Sequence, residues 1–236
     1  MKFTVPVTLI ALALPLSMSV SAEIENEVQW GVEGVTGYRS NYVYRGFELS
    51  ESTIDFQLEA EVALSDSLSL NIGGWYATET GNGNFDESAG FLKLHYQATE
   101  HFTLGTSATY RNFNQSLFRE GVDLGVFATW QFCRDFGITL GGYYDTGAEG
   151  WYGNMESNWT KPISDTAFVS LQTGVSAVDG YYGRDGFNDV YGRISLTYNI
   201  TEAVSVTPYF GGSALLDSND LGDDNAFGGI WFVVRF

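Results

Sequence analysis

The stretch Thr53–Thr78, TIDFQLEAEVALSDSLSLNIGGWYAT, decides how the rest of the chain is read. From Ile54 one parity carries Ile54, Phe56, Leu58, Ala60, Val62 and Leu64, while the interleaved parity carries Asp55, Gln57, Glu59 and Glu61. Only a two-residue period fits this pattern, because a helix would return to the same face every three or four residues. Ser65-Asp66-Ser67 then turns the chain, and Leu68, Leu70, Ile72, Gly74 and Tyr76 alternate with Ser69, Asn71, Gly73, Trp75 and Ala77. The stretch is a tight β-hairpin with one apolar face. Two surroundings accept it. In a soluble sandwich the apolar face packs on a second sheet; in a transmembrane barrel it faces lipid while the polar face lines a lumen.

The same rhythm extends in both directions. Upstream, Trp30, Val32, Thr36, Tyr38, Tyr42 and Tyr44 share one parity and Glu33, Arg39, Asn41 and Arg45 the other, which predicts one long first strand from Val28 to about Phe47. Downstream, alternating runs are separated by short turns near residues 66, 100, 135, 164 and 202. Longer connections fall between these turns, at about 80–87, 112–121, 147–150, 179–188 and 217–224, with a first one before Thr53. Five turns and six loops join twelve strands, with both ends on the short-turn side, as bacterial outer-membrane barrels require. Many runs hold about ten to twelve alternating residues, where a tilted spanning strand needs roughly nine to eleven and soluble strands average about five or six. Aromatics also gather at the run ends on the apolar parity: Phe102, Phe132, Trp159 and Phe236 beside short turns, and Tyr76, Tyr110, Tyr144 and Trp151 beside long loops. These read as two interfacial girdles. The expected fold is therefore all-β, a transmembrane antiparallel β-barrel of about 12 strands. Pro208, lacking an N–H in a sheet without edges, calls for a bulge.

Residues 1–22 have one basic residue, Lys2, an apolar middle, and Val20-Ser21-Ala22 as a small-residue cleavage site. This predicts a secretory signal peptide over 1–22 and a single barrel domain over 23–236. Its removal takes the formal charge from −18 to −19, since Lys2 is its only charged side chain. Such acidity argues against nucleic acid as a partner. Cys133 is the sole cysteine, so neither an internal disulfide nor a cysteine zinc cluster is available. The mean hydropathy is near zero, as expected where lipid-facing and lumen-facing residues alternate.

The closing Ile230-Trp231-Phe232-Val233-Val234-Arg235-Phe236 resembles the C-terminal strand of outer-membrane proteins, which ends in Phe and is read by the barrel-assembly machinery. That resemblance implies Phe236 as the assembly signal. Ser40-Asn41-Tyr42-Val43-Tyr44-Arg45-Gly46-Phe47-Glu48-Leu49-Ser50, followed by the strand from Ile54 and by Gly73-Gly74-Trp75-Tyr76-Ala77, resembles the TorF family of porin-type proteins. Phe47 departs from the aliphatic residue usual in that family. The resemblance covers about the first quarter of the exported chain, and it implies an outer-membrane barrel, in a Gram-negative-type bacterium, that passes small hydrophilic solutes.

The inward parity of the first two strands assembles Glu33, Arg39, Arg45, Asp55, Glu59 and Glu61. One reading is a charged constriction that selects ions; the other is a salt-bridge network filling a narrow lumen. Over all inward positions, Glu33, Asp55, Glu59, Glu61, Asp123, Asp145 and Glu156 nearly balance Arg39, Arg45, Lys93, Arg111, Arg193 and Arg235. The loops tip this balance, because Asp86, Glu87, Asp217, Asp220, Asp223 and Asp224 place negative charge at the outer mouth, predicting modest cation preference. The 217–224 cluster fails the calcium-loop pattern, with Leu221 at the fifth place and Gly228 at the twelfth. Neither a metal nor another cofactor is expected. The partners are membrane lipids, the assembly machinery, and small solutes or ions. His95 and His101 fall near one short turn, far from where a lipid-cleaving Ser-His pair would meet the outer leaflet, so no enzyme is expected. A closed barrel with a structural or surface-binding role is the alternative to a channel, and a lipid hydrolase is the second.

Overall fold

A computed structural model describes residues 30–81, 83–217 and 222–236. The signal peptide predicted over 1–22, and Asp220 of the acidic loop, lie outside the described residues. Twelve antiparallel strands close into one barrel: β1 (Trp30–Arg39), β4 (Thr53–Ser65), β5 (Leu68–Glu79), β6 (Asp86–Thr99), β7 (Phe102–Phe113), β8 (Gly121–Cys133), β9 (Phe136–Asp145), β10 (Gly150–Pro162), β11 (Ala167–Tyr181), β12 (Arg184–Asn199), β13 (Val204–Leu215) and β14 (Asn225–Arg235). Each pairs with its chain neighbour, and β1 closes on β14 with Gly37 opposite Trp231. Closure leaves no free edge, which is the condition for burying backbone polar groups in hydrocarbon. The two strands read first, β4 and β5, pair as expected, Leu58 opposite Gly74.

The parities divide as the alternation requires. Phe56, Leu58, Val126, Leu140 and Phe210 are each more than half exposed on the outside, while Asp55, Gln57, Glu59, Thr129 and Thr139 are buried within. Tyr38, Tyr76, Tyr110 and Trp151 stand exposed near the long-loop end, and Trp30, Phe132 and Phe236 near the short-turn end. Inside, large rings lie against bare backbone of the next strand. A Cβ on Gly105 would come within 2.1 Å of the Phe127 ring, and one on Gly73 within 2.4 Å of the Phe91 ring. Rings held this flat keep to the wall and leave the middle of the lumen free.

Three expectations need correction. The first strand does not reach Phe47: β1 ends at Arg39, the chain bends at Ser40-Asn41, and residues 42–50 form a separate hairpin, β2 (Tyr42–Tyr44) and β3 (Phe47–Ser50). Tyr42, placed outward by the alternation, is only 5% exposed and lies inside. Residues 179–188 are not a loop, because β11 and β12 continue to a two-residue turn at Tyr182-Gly183. Both turn residues have positive φ, 49° and 83°, as the tightest hairpin turn demands. Pro208 makes no bulge. The β12–β13 pairing passes from Ser195↔Tyr209 to Tyr198↔Val206 with register unchanged, so the ladder simply skips the proline, and the Thr197 and Thr207 hydroxyls bridge the gap at 2.9 Å.

Candidate functional site: a hairpin across the lumen

The hairpin's tip is Arg45-Gly46, flanked by the pair Tyr44↔Phe47. Both tip residues have positive φ, 50° and 80°, which makes a tight primed turn and explains Gly46. A side chain at Gly46 would also crowd the wall, since its Cβ would stand 2.9 Å from Arg184 Nη1. Arg45 has no such excuse for a left-handed backbone, so its contacts must hold it there.

Those contacts lie across the barrel. In the closed order, β8 to β11 face β1, where the hairpin originates. Arg45 Nη2 donates to Asp123 of β8 at 2.5 Å, and Nη1 donates to the Tyr181 hydroxyl of β11 at 3.0 Å. The guanidinium stands 4.3 Å from the ring centre of Tyr152, 5.2 Å from Tyr143, 5.3 Å from Tyr181 and 5.2 Å from Tyr44. Asn188 donates to the Arg45 carbonyl at 3.1 Å, and Arg184 lies 3.5 Å over the Phe47 ring while donating to the Gly46 carbonyl. At the hairpin's root, the Tyr42 hydroxyl donates to Glu87 at 2.8 Å, Glu87 pairs with Arg111 at 2.6 Å, and Arg39 pairs with Asp55 beneath Tyr42. Burial pushes the Tyr42 and Tyr44 phenols above the ordinary tyrosine range.

Above the tip, Phe47, Phe85, Phe113, Phe118 and Tyr181 form a buried aromatic cluster at the long-loop end. Phe47 meets Phe118 edge-on at 5.3 Å, and Phe118 meets Tyr182 at 4.5 Å. Below the tip, a cavity of about 1060 Å³ runs to the short-turn rim at Ser67, His101 and Arg134, roofed by Tyr42, Tyr44, Arg45 and Gly46. The lumen is thus wet from one end and stoppered at the other.

The residues expected at a constriction separate into two levels. Glu33 pairs with Arg235 at 3.0 Å, Glu59 accepts from Asn71 and Gln57, and Glu61 lines the same lower half. Arg39, Asp55 and Arg45 stand at the hairpin, where Arg45 pairs with Asp123 rather than with the first two strands. Glu87, expected at the outer mouth, is an interior residue of β6, 1% exposed and neutralised by Arg111. Of the acidic loop, Asp223 and Asp224 are exposed, Asp217 is half-buried, and Asp224 accepts from the Leu215 N–H at 2.9 Å. His95 and His101 both line the lower cavity, His95 against the Phe127 ring at 5.2 Å. Sequence reasoning missed Tyr42, Glu87, Tyr181, Arg184 and Asn188 as parts of this site. The available signal was Arg45-Gly46 between aromatic residues, a turn pair inside an apparent strand.

No family model and no curated protein matches the sequence. Solved structures do resemble the fold. The COG4313 outer membrane channel from Pseudomonas putida F1 superposes with a TM-score of 0.60 at 12% identity, over 92% of this chain and 100% of that one. NanC porin gives 0.56 at 11%, and KdgM porin 0.54 at 7%, each over 87% of this chain and 98% of the other. At such identities the likeness is one of fold.

Proposed function

We propose that this chain is an outer-membrane channel for passive diffusion of small hydrophilic solutes, with the Tyr42–Ser50 hairpin as its displaceable constriction. The observation that carries this reading is a polar, water-accessible lumen that, among the described residues, is obstructed at the level of the hairpin. A residue that merely filled the barrel would be expected along its whole length, as in eight-stranded barrels. The obstruction is also imperfectly satisfied. Of the eight buried side-chain atoms without a hydrogen-bond partner among the described residues, Arg39 Nε, Tyr44 Oη, Arg111 Nε and Asp123 Oδ1 lie where hairpin meets wall, and those of Thr53, Asn154, Gln172 and Ser205 lie on the barrel strands. The porin and channel neighbours in fold, and the TorF-like segment that coincides with the hairpin, support the same reading. Membrane lipids and the barrel-assembly machinery are its implied partners.

Modest cation preference belongs to this proposal. Arg39, Arg45, Arg111 and Arg235 are each paired with a carboxylate, so they add little field to the lumen. Among the remaining charges that line the cavity, Glu59, Glu61, Asp66, Glu100, Glu156 and Asp189 outnumber Lys93, Arg134 and Arg193. The lumen therefore supports cations before the loops add to it. Reversal potentials in a salt gradient should show cation preference that fades as the screening length shrinks from about 10 Å at 0.1 M to about 3 Å at 1 M. Neutralising Glu59 and Glu61 should reduce it more than neutralising Asp217, Asp220, Asp223 and Asp224. Anion preference at low salt would refute the assignment.

A closed barrel is the second reading, favoured by the completeness of the aromatic seal, in which Phe85 and Tyr181 are at most 1% exposed. The two differ in whether the hairpin leaves its dock.

A further inference from the structure

We infer that the wall pocket holding Arg45 is a binding site for solutes that carry a guanidinium group, and that the hairpin tip is its internal occupant. The pocket is built almost wholly by the barrel. Asp123, Tyr143, Tyr152 and Tyr181 come from β8, β9, β10 and β11, and only Tyr44 belongs to the hairpin. Rings around a carboxylate suit a flat, weakly hydrated cation, since the ring faces attract positive charge and the carboxylate accepts its N–H groups. Tyr181 is held in the orientation this needs, because its hydroxyl donates to Asp145 at 3.2 Å and so turns an oxygen lone pair toward the Arg45 guanidinium.

The tethered arginine uses this pocket incompletely. It engages one oxygen of Asp123 and leaves Oδ1 without a partner, although a guanidinium and a carboxylate match best when two parallel bonds form. Its backbone is held at φ 50°, a conformation that L-residues with side chains avoid. A free guanidinium solute carries neither restriction. It has a route as well, because Arg45, Asp123, Tyr143 and Tyr152 line the roof of the cavity that opens at the short-turn end. Displacement of the tip by such a solute would free the hairpin and open the lumen. That consequence rests on the channel reading above, whereas the binding site does not.

The test uses the full barrel in detergent, with methylguanidinium as probe and methylammonium as the equally charged contrast. Arg45→Ala should bind methylguanidinium saturably, followed by tyrosine fluorescence or calorimetry, about tenfold more tightly than the wild type, whose pocket is free in only about a tenth of the molecules. Methylammonium should bind less well, and Arg45→Ala with Asp123→Asn should lose the binding. Absence of saturable binding to Arg45→Ala, or binding indifferent to Asp123, would overturn the site. Heat-modifiable migration reports whether each variant is folded. Should Arg45→Ala not fold, the wild type decides: millimolar methylguanidinium, and not methylammonium, should raise its open probability in a planar bilayer, and no response from a conducting channel would overturn the proposal. A wild type that never conducts, beside an Arg45→Ala that binds, upholds the site and removes only the channel.

Discussion

Replacing residues 42–50 by a short Gly-Ser linker is expected to leave a folded barrel whose lumen is permanently open. The strand pairing that closes the barrel does not involve β2 or β3, which pair only with each other. The hairpin's departure also removes Phe47, the ring under Arg184 and against Phe118, so the outer cluster loses its centre. A docked state favoured by a few kcal/mol leaves the open one populated at roughly 0.1–10%. Deletion should therefore raise time-averaged solute flux by about 10- to 1,000-fold, measured by swelling of proteoliposomes in small sugars. Flux equal to that of the intact protein would mean that the hairpin is not the obstruction.

The second large effect concerns the outer face. Val126 is 62% exposed midway along β8, and Leu117 is 42% exposed in the 114–120 loop. If the band around Val126 meets hydrocarbon, Val126→Arg should cost about 2–4 kcal/mol of unfolding free energy in lipid vesicles. Leu117→Arg, in water at the mouth, should change it by no more than about 0.5 kcal/mol. Urea titrations of the two variants make the comparison. Similar small effects at both sites would mean that water covers the face assigned to lipid.

The barrel was legible because its pattern is local. Whether Leu58 faces outward or into the lumen follows from its place between Gln57 and Glu59, and the same reading serves the other barrel strands. Arg39 with Asp55 was legible for a related reason: β1 and β4 are neighbours, with Gly37 opposite Asp55. The hairpin was not. Its dock depends on Asp123, Tyr181 and Asn188, which lie 78, 136 and 143 residues from Arg45, and no spacing within the Ser40–Ser50 segment announces them. The alternation of Tyr38, Tyr42 and Tyr44 continued through the bend at Ser40-Asn41, so the period alone carried β1 too far. Glu87 was misplaced by its company, since the glycine-rich run before it reads as loop while its own side chain is drawn inward by Arg111 and Tyr42. The turn at Tyr182-Gly183 was hidden by the glycines around it: Gly180, Gly183 and Gly186 all take positive φ, yet only one of them closes the turn.

Single-channel recording of the purified wild-type protein in a planar bilayer tests the central claim most directly. Brief openings separated by long closures are expected, carried by the hairpin leaving and regaining its dock, with cations favoured in a salt gradient. A protein that retains heat-modifiable migration but shows no openings at any applied voltage would contradict the claim, and would make the hairpin a permanent part of a closed barrel.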